Sequence, residues 1–381
     1  MTKEHVFANA KVVLPREVIQ GSVVIRKGLI AEIDIGSNVP SGAMDCAGQT
    51  LCPGLIELHT DNLERHMRPR PNVDWPQTAA ILAHDRELAG NGITTVFDAV
   101  RLGSITTQRG RRFRRYARSA ADDLKALRNA GALKVNHHLH LRAEVCSESL
   151  IEELDEFHTD DRVGIVSLMD HTPGQRQFRD LQQFEEYVCT KNGMLRDGFS
   201  EYMDFLKQLQ QKNGAAHEAA AVGAAERFGA TLASHDDTTP DHVFQSHRNG
   251  VTLAEFPTTS KAAEACAELG IATIMGAPNL IRGGSHSGNV AARTLAETGC
   301  LDILSSDYVP AALLLGAVQL GTLWDDLARG IATVTATPAR AAGLTGRGQI
   351  AVGQQADLCL FQMIQDTPLV RGVWASGNRI S

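Results

Sequence analysis

Short apolar runs alternate with longer segments of helical period along the middle of this chain, between about residues 53 and 346. The runs cover residues 54–59, 94–100, 135–145, 164–171, 230–237, 251–257, 272–276 and 301–307. Strands that alternate with helices are typical of a parallel sheet. Eight such units over nearly three hundred residues predict an α/β fold, a TIM-like (β/α)8 barrel. A Rossmann-type sheet is the alternative, but no G-x-G-x-x-G pattern follows the first run.

Both ends of the chain have a different pattern, with short strands separated by glycine turns. The candidate strands are residues 6–8, 11–14, 21–26 and 28–35 near the start, and 350–353, 356–361 and 370–379 near the end. This pattern is typical of a small antiparallel sheet. Because chain termini commonly lie close together, we predict one β-sandwich from residues 1–52 plus 346–381 and a barrel from residues 53–345.

The composition is that of an ordinary soluble globular protein, with 43% hydrophobic and 21% charged residues among 381. The 37 basic and 44 acidic side chains give a net charge of −7, which disfavours nucleic acid and membrane partners. No secretory signal is recognisable, and the longest apolar stretch, residues 311–323, is too short to span a bilayer. The seven cysteines are scattered without a C-x-x-C pair, which argues against disulfides and zinc knuckles. We expect a reduced, cytoplasmic enzyme.

Polar side chains recur where the apolar runs stop. They are His59 and Asp61 after the first run, Glu144 after the third, His171 after the fourth, His235 after the fifth and Asp307 after the eighth. The carboxyl ends of barrel strands meet at one mouth, where catalytic groups lie. Imidazoles together with carboxylates are the ligands that Zn²⁺ or a similar divalent ion requires. An isolated strand-end histidine is commonly a surface residue, but six such residues in recurring register predict a metal site.

The motif around the first run resembles a known family. The segment Pro53-Gly-Leu-Ile-Glu-Leu-His-Thr-Asp is similar to the opening P-G-[LF]-I-D-x-H-x-H/D of the amidohydrolase superfamily of metal-dependent hydrolases. Residues 336–344, 346–353 and 356–361 resemble the ending of that superfamily. The resemblance covers nearly the whole chain and implies a barrel with a split β-sandwich.

The same resemblance implies one or two divalent metal ions. By position, His59, Asp61 and Asp307 would bind the first ion, and His171 and His235 the second. Zinc is the expected metal; Asp61 stands where most of the superfamily has histidine, and this oxygen ligand makes manganese or magnesium the alternatives. Asp307 would also be the catalytic acceptor of the proton of the attacking water.

The bridging position between the ions, often a carboxylated lysine in the superfamily, has no lysine in this chain. Glu144 is the predicted bridge, because a carboxylate can span two cations and a neutral imidazole cannot. His140 is the alternative.

A narrower resemblance is to one branch of the superfamily, the triphosphate diphosphatases of the carbon–phosphorus lyase pathway. The matching segments are residues 58–66, 167–178, 233–237, 255–259, 275–289 and 305–308. The resemblance implies a small-molecule ribosyl triphosphate as substrate, hydrolysed to the 5-phosphate and diphosphate by attack of water on phosphorus. The alternative is a C–N hydrolase such as a deacetylase or cyclic amidohydrolase, since the same site attacks carbonyl carbon. The oligomeric state stays open, with a homodimer as one alternative.

Cations follow several of the strands, and we predict that they bind the phosphates of the substrate. They are Arg65, His66, Arg68, Arg70, Arg176, Arg282 and His286. Arginine suits phosphate because its planar fork donates two hydrogen bonds at once. The arginine run at residues 109–118 is interpreted as a solvated helical face, with a clamp on the triphosphate as the alternative. A small triphosphate senses the barrel mouth, so these cations are compatible with a net negative chain.

Overall fold

Two sheets organise the chain in a computed structural model that describes residues 4–70, 73–105, 115–176, 198–285 and 288–381. The strands are β1 (Glu4–Val13), β2 (Val18–Arg26), β3 (Leu29–Ile35), β4 (Met44–Asp45), β5 (Thr50–Pro53), β6 (Leu55–Thr60), β7 (Ile93–Leu102), β8 (Asn136–Glu144), β9 (Val163–Met169), β10 (Thr231–His235), β11 (Leu253–Glu255), β12 (Ala272–Gly276), β13 (Ile303–Ser305), β14 (Leu358–Ile364), β15 (Thr367–Ala375) and β16 (Asn378–Arg379). The α-helices are α1 (Asn62–Met67), α2 (Gln77–Gly90), α3 (Ala117–Asn129), α4 (Leu150–Asp155), α5 (Phe199–Phe228), α6 (Pro240–Arg248), α7 (Ser260–Glu268), α8 (Ala277–Arg282), α9 (Ala292–Thr298), α10 (Ala312–Leu323), α11 (Leu327–Ala332) and α12 (Ala336–Ala341).

Strands β6 to β13 run parallel in chain order and form the barrel. The circle is closed by a bridge between Thr60 and Asp307 and by a 2.7 Å hydrogen bond from the backbone N–H of Asp61 to the carbonyl of Asp307. Apolar side chains from successive strands fill the interior, among them Ile56, Phe97 and Leu253. The predicted (β/α)8 barrel is confirmed, and each of the eight apolar runs overlaps one of its strands.

The helices begin soon after the strand ends because the chain places caps there. The hydroxyl of Thr239 accepts a hydrogen bond from the backbone N–H of His242, and Pro240 occupies the first turn of α6. Thr259 caps α7 in the same way through the N–H of Ala262. The short strand-to-helix turns leave the last residues of β10 and β11 at the mouth. In the described part of the chain, no helix combines the length and apolarity needed to cross a bilayer.

The first and last strands of the chain share the second sheet, in the order β16-β15-β14-β5-β1-β2-β3, with β4 beside β1. Strands β5 and β14 are antiparallel neighbours, with Cys52 opposite Cys359 in the backbone register, so strands from the two ends of the chain are directly adjacent. Both cysteines are free thiols. The rings of Phe7 and Trp374 meet edge to face, 4.7 Å apart, in the apolar core of this sheet. The prediction that both termini build one β-structure is therefore confirmed.

The connection from this sheet to the barrel is a single residue, Gly54, between β5 and β6. A Cβ atom there would lie 2.4 Å from the side chain of Thr94 at the start of the next barrel strand. Glycine is needed because the backbone passes too close to this neighbour for any side chain.

Candidate active site

The first barrel strand delivers His59 and Asp61 to the mouth. His59 is 1% exposed, and its Nδ1 lies 2.9 Å from Oε1 of Glu255, whereas its Nε2 lies 3.9 Å from Oδ1 of Asp61. Its backbone N–H donates to Oε1 of Glu57 at 2.8 Å, and the other oxygen of Glu57 accepts a 2.6 Å hydrogen bond from the N–H of Ser306. Burial raises the pKa of Glu57 to about 7. This buried carboxyl group thus fastens the end of the first strand to the end of the last.

His59, His235 and Glu255 form a compact set of potential ligands, with one atom from each lying within 4.8 Å of the others. They come from β6, β10 and β11, and His235 and Glu255 are direct register partners in the sheet. The second oxygen of Glu255 accepts a 2.6 Å hydrogen bond from the hydroxyl of Ser167. Burial opposes charge on Glu255, but His140 and His59 outweigh burial and lower the pKa of its carboxyl group. The cluster is therefore two imidazoles facing a carboxylate.

The donor set fits a divalent metal ion, and His140 supplies an independent test of this fit. Its Nδ1 lies 2.9 Å from the carbonyl oxygen of Leu58 and so carries the proton of the neutral ring. Burial lowers the pKa of His140 to about 4, which leaves a lone pair on Nε2 at neutral pH. That atom is buried, has no hydrogen-bond partner among the described residues and lies 3.6 Å from Oε1 of Glu255. Two acceptors that face each other are stabilised by a cation between them.

Glu144 and His171 form a second pair at the same mouth. Nδ1 of His171 hydrogen-bonds to Oε2 of Glu144, and the backbone N–H of His171 donates to Oε1 at 3.1 Å. Burial would raise the pKa of Glu144, but His171 and then Arg101 outweigh it and lower the pKa. The rings of His171 and His235 have centroids 6.2 Å apart, so this pair borders the three-residue cluster.

Asp307 follows the last strand in a left-handed backbone conformation, with φ of +56°. Its backbone N–H donates to the carbonyl of His59 at 3.3 Å. Burial, and then the neighbouring charge of Asp61, raise the pKa of Asp307. The closure of the barrel between its first and last strands thus brings Asp307 next to His59 and Asp61, the first residues of the predicted ligand set.

Asp61 also has a partner from another strand. Its Oδ1 accepts a hydrogen bond from Nη1 of Arg142, a side chain of β8 that is 10% exposed. Burial would raise the pKa of Asp61, but Arg142 and His59 outweigh it and lower the pKa to about 2. The carboxylate is therefore shared between the metal-ligand candidates and an arginine.

Two predicted phosphate-binding residues, Arg65 and His66, contact an acidic residue of the neighbouring helix. Nη2 of Arg65 donates to both oxygens of Glu87 at 2.6 and 2.7 Å, and Nε2 of His66 lies 2.6 Å from Oε2. The side chains of Arg65 and His66 thus hydrogen-bond to the carboxylate of Glu87 in α2.

The remaining predicted phosphate-binding residues lie at separate places. Nε of Arg68 is 3.6 Å from Asp74, Arg70 forms a bridge with Val73, and Arg282 is exposed at the end of α8. Arg176 donates to the carbonyl of His235 at 2.9 Å and to the carboxylate of Asp237, so it is anchored beside the cluster. The prediction for His286 lies outside the described residues.

Part of the arginine run predicted as a solvated face also lies outside the described residues, namely residues 109–114. Of the rest, Arg115 pairs with Glu152 at 3.2 Å and with Glu153 at 3.3 Å. Arg118 makes ion pairs with Asp161 and Asp122 at 2.6 and 2.7 Å. These two arginines are neutralised by the chain itself.

A cavity of about 390 Å³ opens between α1, the start of α3 and the end of β7. Its lining residues are Glu64, Met67, Arg68, Asp74, Trp75, Gln77, Arg101, Gly103, Ser104, Arg115, Tyr116 and Ser119. The side-chain oxygen of Tyr116 accepts a 3.2 Å hydrogen bond from the backbone N–H of Arg101 and donates to Glu64. The cavity is large enough for part of a small ligand and mixes cations, carboxylates and aromatic rings.

A second buried group of His and Asp side chains lies between α2 and the barrel wall. Nε2 of His84 is 2.8 Å from Oδ1 of Asp98, and Nδ1 of His137 is 2.6 Å from Oδ2 of the same carboxylate. Asn62 contacts Nδ1 of His84, and Asp85 contacts Nε2 of His137. Both rings thus have both nitrogens engaged by the protein, so we interpret this group as a structural network.

Sequence reasoning assigned no role to Glu255, Arg142 or this network. The signal for Glu255 was present, because it lies two residues before the end of the sixth apolar run, as His235 does in the fifth. Arg142 alternates with His140 and Glu144 on β8, and that spacing also placed it on the same face. The network between α2 and the barrel wall had no comparable pattern in the sequence, since His84 lies in a helix and Asp98 lies within an apolar run.

The family profile that matches this chain is described as the Amidohydrolase family and covers residues 77–380. Alpha-D-ribose 1-methylphosphonate 5-triphosphate diphosphatase of Escherichia coli (strain K12) is 40% identical over 386 residues, which span 98% of this chain and 99% of that protein. Among solved structures, A. niger ochratoxinase has a TM-score of 0.66 at 13% identity and covers 100% of this chain and 96% of its own. N-isopropylammelide isopropylaminohydrolase from Burkholderia multivorans has a TM-score of 0.63 at 17% identity, with 100% and 98% coverage. At these identities the solved structures show a shared fold alone.

Proposed function

Because this chain belongs to the amidohydrolase family, we propose that it is a metal-dependent hydrolase of alpha-D-ribose 1-methylphosphonate 5-triphosphate, with the 5-phosphate and diphosphate as products. The observation that carries this proposal is the likeness to the E. coli diphosphatase, which extends along nearly the whole chain. The catalytic, metal-binding and substrate-binding roles given below are part of the same proposal.

The metal-binding role falls to His59, His235 and Glu255, with the Nε2 lone pair of His140 directed at the same place. Asp61, Glu144, His171 and Asp307 border this cluster and complete the proposed set. A bound divalent ion would polarise a phosphoryl oxygen and lower the pKa of a water molecule from 15.7 to about 7.

The catalytic role falls to Asp307, whose carboxylate would accept the proton of the attacking water. Burial and Asp61 raise its pKa above the ordinary value, which makes it a better proton acceptor than an exposed aspartate. It lies at the barrel seam beside His59, so the acceptor and the ligand cluster share one mouth.

Phosphoryl chemistry also demands neutralisation of the triphosphate, because its catalysis rests on positioning and electrostatics. Arg101 and Arg68 line the cavity, and Arg176 is anchored beside His235. These cations distinguish a triphosphate from a neutral amide, which has no charge to be neutralised. A C–N hydrolase of the same fold therefore explains the mouth less well.

The test is incubation of the zinc-loaded or manganese-loaded protein with alpha-D-ribose 1-methylphosphonate 5-triphosphate, with ³¹P NMR of the products. We expect diphosphate and the 5-phosphate in equal amounts, and no release from the His59→Asn variant. ATP serves as a second substrate, which tells whether the 1-phosphonate is required. Hydrolysis of an N-acyl substrate with no diphosphate from either triphosphate would contradict the proposal.

A further inference from the structure

Arg142 lies at the mouth of the barrel, bonded to Asp61, on the strand that carries His140 and Glu144. Alternate residues of a strand point to the same face, so His140, Arg142 and Glu144 project together from β8. Only 10% of the Arg142 side chain is exposed. An arginine is seldom buried to this extent, because transferring its charge out of water is unfavourable unless anionic groups surround it.

The guanidinium is held from two sides. Nη1 donates to Oδ1 of Asp61, and Nε lies 3.2 Å from the sulfur of Met169. Within the described ranges these are the hydrogen bonds that the guanidinium makes, so Nη2 keeps its donors for another acceptor. A guanidinium held at both Nε and Nη1 has a fixed orientation, and its remaining nitrogen, Nη2, can donate to a ligand.

The groups around Arg142 belong to two regions, the cavity and the candidate metal cluster. The Arg142 charge interacts with Glu64 and Tyr116 as well as with Asp61 and Glu255. Glu64 and Tyr116 line the 390 Å³ cavity, whereas Glu255 belongs to the candidate metal cluster. Arg142 is also the register partner of Arg101, which lines the cavity, and it bonds Asp61 beside His59, so it lies next to both the cavity and the cluster.

A fixed positive charge at this position repels a metal cation. One anionic partner, Asp61, is supplied by the chain, and it is itself among the metal-ligand candidates. A polyanionic substrate would supply the negative charge that balances the arginine and the metal together.

We propose that Arg142 is a catalytic residue that donates from Nη2 to a non-bridging oxygen of the phosphoryl group under attack, with Asp61 as the residue that positions its guanidinium. The inference rests on the proposed function. In the step it assists, the water oxygen bonds to the α-phosphorus and the bond from that phosphorus to the diphosphate oxygen breaks. The diphosphate leaves with the electron pair, and the water proton passes to the carboxylate of Asp307. Arg142 stabilises the charge that grows on the phosphoryl oxygens.

The principal test compares Arg142→Ala, Arg142→Lys and the matched control Arg162→Gln. Arg162 is a half-buried arginine that bonds Asn136 and His138 near the other ends of β8 and β9. We expect Arg142→Ala to lower kcat for the triphosphate by about 10²–10³-fold, as loss of one such donor does in other enzymes. Millimolar guanidinium should restore part of that activity. The kcat of Arg142→Lys should lie between those of the wild type and Arg142→Ala, because one ammonium group keeps the charge but cannot replace the planar guanidinium.

Binding and metal content separate a catalytic role from a structural one. Calorimetric titration of the metal-loaded protein with inorganic phosphate, which stands in for the phosphoryl group under attack, should show at least a tenfold weaker Kd for Arg142→Ala, with metal content and Tm near those of the wild type. A loss of activity that accompanies lost metal and is not restored by guanidinium would overturn the inference. Wild-type kcat and Kd in Arg142→Ala would do the same.

The phosphate titration also distinguishes this inference from the proposed function. If the wild type binds inorganic phosphate through Arg142 yet releases no diphosphate from the triphosphate, the substrate assignment fails and the anion-binding role of Arg142 survives. If the wild type hydrolyses the triphosphate and Arg142→Ala does so equally well, the proposed function stands and Arg142 is not catalytic.

Discussion

His137 should make the stability of this protein fall as the pH rises from 6.5 to 9.5. The ring is buried between two carboxylates, with Nδ1 at 2.6 Å from Asp98 of β7 and Nε2 at 3.2 Å from Asp85 of α2. Burial acts to lower the pKa of His137, but Asp98 and Asp85 outweigh burial and raise the pKa from 6.5 to about 9. His84 also faces Asp98, at 2.8 Å, and its own pKa is lowered, chiefly by burial.

The sign and size follow from linkage between protonation and folding. Because the folded pKa lies above the unfolded one, the stabilisation is complete below pH 6.5 and is lost as the pH rises through 9. At 1.36 kcal/mol for each pK unit, the difference between 6.5 and about 9 corresponds to about 3 kcal/mol of unfolding free energy. That is a large part of the 5–15 kcal/mol typical of whole proteins, so the effect is measurable.

The assay is urea unfolding followed by fluorescence at half-unit steps of pH, with the wild type beside His137→Gln and the exposed-site control His247→Gln. The wild type and the control should lose stability together above pH 7, whereas His137→Gln should start lower and change less with pH. If His137→Gln does not fold, Asp98→Asn replaces it and should move the loss to lower pH. An equal slope in the wild type and the His137 or Asp98 variant would refute the reasoning.

Three further outcomes are expected. Glu255→Gln should reduce bound metal, measured by plasma mass spectrometry, and lower kcat at least a hundredfold; full metal content would remove Glu255 from the ligand set. Chelation by EDTA should abolish hydrolysis and lower Tm, and zinc or manganese should restore both, since a ligand at 100 Kd stabilises by about 2.7 kcal/mol; an unchanged Tm would speak against a resident metal. Gly330→Ala should lower the free energy of unfolding in urea by about 1–3 kcal/mol, because the added Cβ would lie 2.4 Å from the carbonyl oxygen of Ala317. The control Gly223→Ala in α5 should raise it by about 0.5–1 kcal/mol, because the added Cβ meets nothing within 4 Å. Equal effects of the two substitutions would contradict this packing.

The position of each strand could be predicted because the barrel repeats one local pattern. Strand β10 (Thr231–His235) ends on a histidine, and strand β11 (Leu253–Glu255) ends on a glutamate in the matching register. Such periodicity is a property of neighbours in the chain, which a sequence displays directly. For the same reason, both terminal strand sets could be recognised before any pairing was known.

The partners of the site residues could not be predicted in the same way. His59 contacts Glu255 across 196 positions of sequence, and Arg142 contacts Asp61 across 81. Arg65 and His66 follow the first strand as the sequence indicated, yet their side chains bind Glu87 of α2. Long polar side chains can turn toward several neighbours, and only the packed surroundings select one.

By itself, therefore, the sequence of this protein determined the eight βα units, the shared terminal sheet and the set of His, Asp and Glu residues at the strand ends. The tertiary structure decided which of them form a cluster, since closure of β13 onto β6 brings Asp307 beside His59 and Asp61. It also decided that a buried arginine stands among them. The physical reason is that hydrophobic periodicity is set locally, whereas the balance of charges in a water-poor mouth depends on side chains that meet only when the barrel closes.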